Sequence, residues 1–433
     1  VAERVVTIAG EGVEVAIATD HNHHTDYSSW TSKAGSGSHY KSVVGNEFTT
    51  SIGHFNAFPV DKKAKPANHK HTDWDKLLKA VRATPGVRVV ICNHPRRQGF
   101  KKGPWGKIGM DPVSGEFSDG RQWLGLDAVE VINGKTLEKD PYDNFSDWFA
   151  LLNAGHRLTA VAGSDSHTVA QPVGHCRTYI RSSTDDPGKI NVAEVVENIL
   201  AGRVLVSMGL LADVKVNGKF TAGDLATGVG EDLEVEVEVR GPRWTRANRV
   251  ALFFNGRKVR EEKIEHSSDA IVKYRDRWVF GGPGQDIHLV LVATGPRLEN
   301  SYWSPPQDDR YVIGATNPVW IDGDGDGKYS APGDYARALV AECGTDGVAL
   351  AKALRVHDEI TAILAAGLFR RNLEKVLADV YSRLQTRSNN EFEDFIESCK
   401  AIRGDAFKNY ASRLGPLDLL KKPAAAAAEK KKK

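Results

Sequence analysis

The sequence is poor in cysteine and has no long apolar run. Its four cysteines, Cys92, Cys176, Cys343 and Cys399, lie far apart, and no two of them form a Cys-x-x-Cys pair. This spacing disfavours both a thiolate zinc site and a disulfide framework. A membrane-spanning helix needs about 18 apolar residues in a row, and no such run occurs, so we expect no membrane span.

A strong charge of either sign is also missing. The 433 residues carry 58 Lys and Arg against 56 Asp and Glu, a formal net charge of +2. The segment from Lys421 to Lys433 holds six lysines and one glutamate, which is +5, and leaves −3 for the other 420 residues. The basic charge therefore belongs to the tail, and we expect no nucleic-acid partner.

The signatures of several large enzyme classes are missing as well. No Gly-x-Ser-x-Gly elbow, Walker loop or dinucleotide-binding glycine turn occurs, so a serine hydrolase, a P-loop enzyme and a Rossmann oxidoreductase have no support. The chain begins at Val1 and has no secretory leader pattern. We expect the natural start to lie upstream.

Residues 1–205 contain an alternation of strand-like and helix-like segments. Apolar, β-rich runs predict strands at 13–20, 43–50, 87–92, 126–132 and 158–162, and helical patterns occupy 74–83 and 145–154. Strands that alternate with helices are typical of parallel βαβ units in an α/β fold. Polar residues follow the strand ends, which in a β/α barrel form the face where the chemistry is built.

Residues 206–320 have a different pattern. The segment Leu233–Arg240 alternates apolar and charged residues with period two, which predicts a half-buried antiparallel strand. Further strands are predicted at 250–255, 257–264 and 287–294, with a hairpin turn at Asn255-Gly256. We predict a β-sandwich domain here, then a helical region over 335–415 and a disordered tail over 416–433.

Six residues of the first segment are candidate metal ligands at or near predicted strand ends: His21, Glu47, His54, His94, Asp165 and His167. Imidazole and carboxylate groups together bind zinc, manganese or iron near neutral pH. In an extended Asp165-Ser166-His167 segment the first and third side chains point the same way, and Glu47 can bridge two ions. Two such ions would activate a hydroxide and neutralise charge that develops on a substrate.

Five motifs resemble those of the PHP (polymerase and histidinol phosphatase) metallohydrolases, in family order, and look most like the carbaryl-hydrolase-like branch. They are Thr19-Asp20-His21-Asn22, Gly45-Asn46-Glu47-Phe48-Thr49-Thr50 with Gly53-His54-Phe55-Asn56, Asn93-His94-Pro95-Arg96, Ala128-Val129-Glu130-Val131-Ile132-Asn133-Gly134 and Gly163-Ser164-Asp165-Ser166-His167. The resemblance covers residues 1–205. It implies a distorted β/α barrel of seven strands with two or three divalent ions.

The resemblance also implies a role for each ligand. Glu47 would bridge metals, His54 and His94 would bind one of them, and Asp165 would bind the other. His21 and His167 would hold a third ion. The family pattern opens with a His-x-His strand end that this chain lacks ahead of Thr19. We expect that first strand upstream of Val1, and the alternative is a degenerate copy that has lost it.

Asp20 and Arg96 are the candidate catalytic residues. Asp20 would orient a metal ligand or cap the turn that follows it. Arg96 and Arg97 follow His94, and a guanidinium group beside a metal cleft suits an anionic substrate. The alternative for this pair is a surface ion pair.

The segment Asp322-Gly323-Asp324-Gly325-Asp326-Gly327 matches the opening of a calcium loop. Such a loop has oxygen ligands at positions 1, 3 and 5 and glycine at position 6. Position 12 is Gly333 instead of glutamate, so a turn cluster of Asp and Gly is the alternative. We predict a stabilising calcium site over 321–334.

These features together predict a metal-dependent hydrolase with a small anionic or ester substrate. Phosphoesters are favoured by the superfamily, and esters and carbamates stay open because of the closer branch. The alternative is a non-catalytic binding or surface module built on a degenerate barrel. The β-sandwich and the calcium loop favour an extracytoplasmic location, where calcium is abundant.

Overall fold

Helices and strands alternate along the first half of the chain, where apolar runs and amphipathic segments alternate in the sequence. The computed structural model describes residues 1–136, 138–171, 173–265, 270–297 and 311–384, and its architecture is mixed α/β. The chain divides into two compact units, one from Val1 to Ala331 and one that begins at Pro332.

The helices of the described residues are α1 (Ala2–Gly10), α2 (Ser28–Lys33), α3 (Trp74–Arg82), α4 (Pro104–Lys107), α5 (Asp143–Ala154), α6 (Val192–Leu200), α7 (Pro332–Cys343), α8 (Gly347–Ala353) and α9 (Glu359–Leu384). The strands are β1 (Val15–Ala18), β2 (Lys41–Val44), β3 (Asn46–Thr49), β4 (His54–Phe58), β5 (Val89–Asn93), β6 (Ala128–Asn133), β7 (Thr159–Gly163), β8 (Arg177–Ile180), β9 (Val204–Met208), β10 (Leu211–Val216), β11 (Leu225–Ala226), β12 (Asp232–Arg240), β13 (Arg249–Phe254), β14 (Arg257–Lys263), β15 (Val272–Gly281), β16 (Ile287–Pro296), β17 (Tyr311–Thr316) and β18 (Val319–Ile321).

Strands β3 to β7 form a five-stranded sheet in chain order. The pairs β5–β6 and β6–β7 are parallel, as the alternation with helices predicts. The pairs β3–β4 and β4–β5 are antiparallel, which differs from that prediction. The reason is the short connection between β3 and β4, because a few residues can reverse the chain but cannot cross over to a parallel neighbour.

The strand predicted at 43–50 is split into β2 and β3 at Gly45. Strand β2 pairs in parallel with β1, and β3 begins the five-stranded sheet. A side chain at Gly45 would place its Cβ 2.8 Å from the carbonyl oxygen of Ala18, so only glycine fits this change of sheet. One bridge between His21 and Glu47 joins the two sheets, and the described strands form no closed barrel.

The inner face of the five-stranded sheet has an apolar end and a polar end. Phe58, Ile91 and Val161 pack in one buried cluster with Val196 and Ile199 of α6. The opposite ends of the same strands carry the candidate ligands. Helix α6 therefore closes one end of the strands and leaves the other end for the site.

Two further sheets follow. One contains β10, β12 and β15, and the other has eight strands, with the order β11-β18-β16-β17-β9-β8 and β13 and β14 beside β16. The side chains of Val235 and Val237 are buried between acidic neighbours that are more exposed, so the period-two prediction for β12 is confirmed. The hairpin predicted at Asn255-Gly256 is also present, between β13 and β14.

The two sheets share a buried apolar cluster that includes Val237 of β12 and Leu291 of β16. Strand β8 ends before residue 206, and β9 crosses it. The two strands pair with each other, and β9 also pairs with β17 in the eight-stranded sheet. The division that the sequence predicts after residue 205 therefore falls inside the unit Val1–Ala331.

Helices α7, α8 and α9 pack around a core of their own. Ala336, Val340, Leu350, Ala365 and Phe369 form its buried cluster. The helical prediction for 335–415 is confirmed up to Leu384, and its remainder and the tail predicted at 416–433 lie outside the described residues. Within the described parts of the chain, no helix combines the length and apolar character that crossing a bilayer requires.

Candidate metal centre

The structure brings together all six predicted ligands at the polar end of the strands. They lie after β1 (His21), within β3 (Glu47), at the start of β4 (His54), after β5 (His94) and after β7 (Asp165 and His167). Five of them, all except His54, line a cleft of about 400 Å³. The neighbouring strands of the sheet place these side chains within reach of one another, which the sequence predicted from strand ends alone.

Glu47, His54 and His94 form the more buried group. One potential ligand atom from each lies within 4.8 Å of the others. Nδ1 of His54 is 2.7 Å from Oε1 of Glu47 but lacks the geometry of a hydrogen bond. The rings of His54 and His94 are 4.8 Å apart between centroids. Nitrogen and oxygen atoms this close together from separate strands could act as ligands to a common cation.

The electrostatics of this group favour the metal-binding protonation states. Burial opposes ionisation of Glu47, but the nearby His54, His21 and His94 imidazoles outweigh it and lower the pKa of the carboxyl group. Burial and the neighbouring His54 lower the pKa of His94 to about 4. An ionised carboxylate beside a neutral imidazole is what a divalent cation binds.

His21, Asp165 and His167 form a second, more open group. The Nε2 atoms of His21 and His167 are 3.2 Å apart, and Nδ1 of His167 is 3.3 Å from Oδ1 of Asp165. Oδ2 of Asp165 is buried and has no partner among the described residues. Nε2 of His21 is 4.0 Å from Oε2 of Glu47, so Glu47 lies between the two groups, as a bridging carboxylate would.

The backbone is strained at two of the candidate ligands. His94 has a φ of 28° and Asp165 a φ of 50°, and both are in the left-handed region that few non-glycine residues adopt. Such conformations cluster at functional sites, where the surrounding structure holds them. The strain therefore supports a functional assignment for this end of the strands.

Glu130 is a further residue of the site, which the sequence analysis includes only as part of a motif. Burial raises the pKa of its carboxyl group to about 8. Its Oε2 accepts hydrogen bonds from the backbone N–H of His94, at 2.6 Å, and from Nδ2 of Asn133, at 2.9 Å. It thus helps to hold His94 in its strained conformation. The available signal was a glutamate inside a strand of six buried residues, since such a carboxyl group needs a specific partner.

The structure gives Arg96 a different partner from the predicted substrate. Its guanidinium donates two hydrogen bonds of 2.7 Å to the buried carboxylate of Asp147 and lies 3.5 Å from Asp143. The alternative of an ion pair therefore describes Arg96, although the pair is largely buried and not at the surface. Asp20 is exposed, lines the cleft, and accepts a hydrogen bond from the Tyr27 hydroxyl at 3.2 Å.

The donor set fits divalent transition ions. Three imidazoles and two carboxylates line the cleft, and ligand atoms of Glu47, His54 and His94 lie within 4.8 Å of one another. Oδ2 of Asp165 is buried and has no partner among the described residues. Mixed nitrogen and oxygen ligands are typical of catalytic zinc, manganese or iron sites that keep a position open for water. These residues could therefore hold the metal that the sequence predicts.

The predicted calcium loop places its acidic residues unequally. Ligand atoms of Asp286, Asp324 and Asp326 lie within 4.8 Å of one another. Asp322 is not in this group, and its carboxylate accepts the backbone N–H groups of Gly325 and Gly327, at 2.8 and 3.0 Å. Asp322 thus shapes the turn, and Asp286, from before β16, takes the third place in the group. Calcium binding here stays a prediction.

Comparison with protein-family models, with curated proteins and with solved structures found no match to this chain.

Proposed function

We propose that this chain is a metal-dependent hydrolase of the PHP type that acts on phosphoester, ester or carbamate substrates. The observation that carries the proposal is that Glu47, His94 and Asp165 line one cleft. Glu47 and Asp165 are more than 100 residues apart in the sequence. A further observation is that Oδ2 of Asp165 is buried and has no hydrogen-bond partner among the described residues, and such a group needs an explanation.

In this proposal, β1 to β7 belong to a distorted β/α barrel, and the two later sheets form a β-sandwich. Among the described strands, β1 pairs only with β2, and the cleft runs between β1 and β7. Val15 and Ile17 line one side of it, and Val161 and Ala162 line the other.

The residues would divide the chemistry between them. Bound divalent ions would lower the pKa of water and neutralise charge on the substrate. Glu47, His54 and His94 would hold one ion, and Asp165, His21 and His167 would complete the cluster. Glu130 would keep the His94 backbone in place, and the exposed Asp20 carboxylate would be available to accept a proton at the mouth of the cleft.

A second candidate is a non-catalytic binding module with a degenerate barrel. The observation that favours it is the lack of a His-x-His motif ahead of Thr19, since that motif supplies two ligands in the family. Metal binding without hydrolysis of any substrate would support this candidate.

The test compares the wild type with the double variant Glu47→Gln, Asp165→Asn. Both changes preserve shape, and asparagine tolerates the backbone conformation at 165. We expect the wild type to contain divalent metal by elemental analysis and to hydrolyse at least one of 4-nitrophenyl phosphate, acetate and carbamate. The double variant should lose metal and at least about 100-fold in kcat/KM.

The matched control is His39→Gln, which removes an exposed imidazole elsewhere in the same segment. It should retain metal and activity. Unchanged hydrolysis in the double variant would refute the proposed mechanism.

A further inference from the structure

The cleft has a cation at its edge that the sequence analysis did not single out. Nζ of Lys135 is 3.1 Å from Nδ1 of His167. Among the described residues, no carboxylate forms an ion pair with Lys135, whereas Arg96, the cation that the sequence predicted to meet substrate, is paired with Asp147. The amino group of Lys135 therefore lies beside the candidate ligands with no carboxylate partner among the described residues.

A well-defined turn places this ammonium group. The side-chain oxygen of Asn133 accepts the backbone N–H groups of Lys135 and Thr136, both at 2.9 Å, and the side-chain amide of Asn133 donates to Glu130. The backbone N–H of Gly134 donates to the carbonyl of Gly163 at the end of β7, at 2.9 Å. The turn is thus tied both to the buried carboxyl group under His94 and to the strand that leads to Asp165.

The contact between Lys135 and His167 is incompatible with metal binding by the same ring. An ammonium group can donate to Nδ1 only when the ring proton is on Nε2, and a protonated Nε2 cannot bind a cation. When Nε2 is a ligand, Nδ1 carries the proton and can donate to the carbonyl of Asp165, which is 2.8 Å away. Lys135 then loses its acceptor at His167, and its ammonium group can meet an anionic group that enters the mouth of the cleft.

We infer that Lys135 binds the anionic group of the substrate and so sets a preference for phosphomonoesters over neutral esters and carbamates. This inference rests on the proposed function and adds to it a substrate class and a positioning residue. Lysine is suited to this role because its ammonium group meets a phosphate as a point charge, without the fixed planar fork of arginine.

The experiment measures orthophosphate binding by isothermal titration calorimetry, as purified and after manganese loading, for the wild type, Lys135→Gln, Lys135→Arg and Lys139→Gln. Lys139 is an exposed lysine of the same loop, so it controls for the loss of a positive charge nearby. We expect Lys135→Gln to weaken binding about 10-fold or more, while Lys135→Arg and Lys139→Gln stay within about threefold of the wild type. Metal content should be the same in all four proteins.

Kinetics supply a second measurement that separates this inference from the proposed function. Lys135→Gln should raise KM for 4-nitrophenyl phosphate more than for 4-nitrophenyl acetate, so that the ratio of kcat/KM for phosphate to kcat/KM for acetate falls, whereas Lys139→Gln should leave this ratio unchanged. If no substrate is hydrolysed but Lys135→Gln still loses phosphate binding, the proposed function fails and the anion site stands. Equal phosphate affinity in the wild type and Lys135→Gln would overturn the inference.

Discussion

At the scale of single residues, His288 shows what burial does to a titratable group. The side chain is fully buried, and its Nε2 hydrogen donates to Oδ1 of Asn153 at 2.9 Å. The ring stacks on Phe149 with 5.8 Å between centroids. Burial lowers the pKa of this imidazole to about 3, from 6.5 for an exposed histidine. The folded protein therefore contains His288 in its neutral form.

This lowered pKa predicts a specific loss of stability in acid. Between pH 6.5 and about 3 the unfolded chain binds a proton at His288 and the folded chain does not. The free energy of unfolding should therefore fall by about 1.4 kcal/mol per pH unit on acidification across this range. Urea unfolding at a series of pH values, with a chelator present, measures the effect.

The variant His288→Gln removes the titrating group and keeps an N–H donor for Asn153. The free energy of unfolding of this variant should fall less steeply on acidification than that of the wild type, by about 1.4 kcal/mol per pH unit. The control variant His39→Gln, at an exposed position, should behave like the wild type. An identical pH dependence for His288→Gln and the wild type would show that His288 does not titrate in this way.

At the scale of elements, the turn after β6 depends on one glycine. A Cβ at Gly134 would overlap Nε2 of the buried His175 ring and lie 2.6 Å from its Cε1. We expect Gly134→Ala to destabilise the protein by about 1 to 3 kcal/mol, because a tightly packed ring must move. The same change should weaken orthophosphate binding, since the turn positions Lys135.

The matched control is Gly281→Ala at the end of β15, where an added Cβ would meet open space. Its free energy of unfolding should stay within about 0.5 kcal/mol of the wild type. Thermal or urea unfolding of both variants is the measurement, and equal stability of Gly134→Ala and the wild type would contradict the packing argument.

The candidate ligands were predictable because they depend on residue type and on strand ends, both of which are local signals. Glu47, His94 and Asp165 lie in β3, after β5 and after β7, strands that alternate with β4 and β6 in the sheet, and their residue types marked them without knowledge of this order. The break in the predicted strand at Gly45 was harder to predict from the sequence, because it depends on the close approach of the Ala18 carbonyl oxygen from another strand. The change of partner at Arg96 likewise depends on where α5 places Asp147.

The position of Lys135 was also not predictable from the sequence, because it depends on contacts within the folded protein. Lys135 directly follows the motif that ends at Gly134, but the motif does not include it, and its position depends on a turn tied to Glu130 through Asn133. A turn held by the side chains of Glu130 and Asn133 and by a backbone hydrogen bond from Gly134 to Gly163 leaves no periodic pattern. The sequence therefore predicted the ligands of the site but not the cation beside it.

At the scale of the whole molecule, the apolar cores separate into two sets. The clusters of the first unit draw their buried members from Val5 to Ile321, and the cluster of the helical unit draws its members from Ala336 to Phe369. We therefore expect residues 1–331 to fold without the rest of the chain, because among the described residues the buried members of these clusters all come from that unit.

A protein truncated after Ala331 tests this expectation. It should unfold cooperatively, with a melting temperature within about 4 °C of the corresponding transition of the full chain and with the same metal content. Circular dichroism melts and elemental analysis provide the two measurements. A broad, non-cooperative transition would mean that the first unit needs the helical one.

The left-handed backbone conformation at His94 and Asp165 has a consequence for the evolution of the sequence. Glycine adopts that conformation freely and asparagine does so with little cost, so selection for folding alone would replace both residues. Each replacement would relieve the backbone strain and remove a candidate metal ligand from the cluster. Thermal stability therefore favours glycine or asparagine at these two positions, whereas metal binding requires His94 and Asp165. A variant library selected only for thermostability would lose these candidate ligands and, with them, the proposed activity.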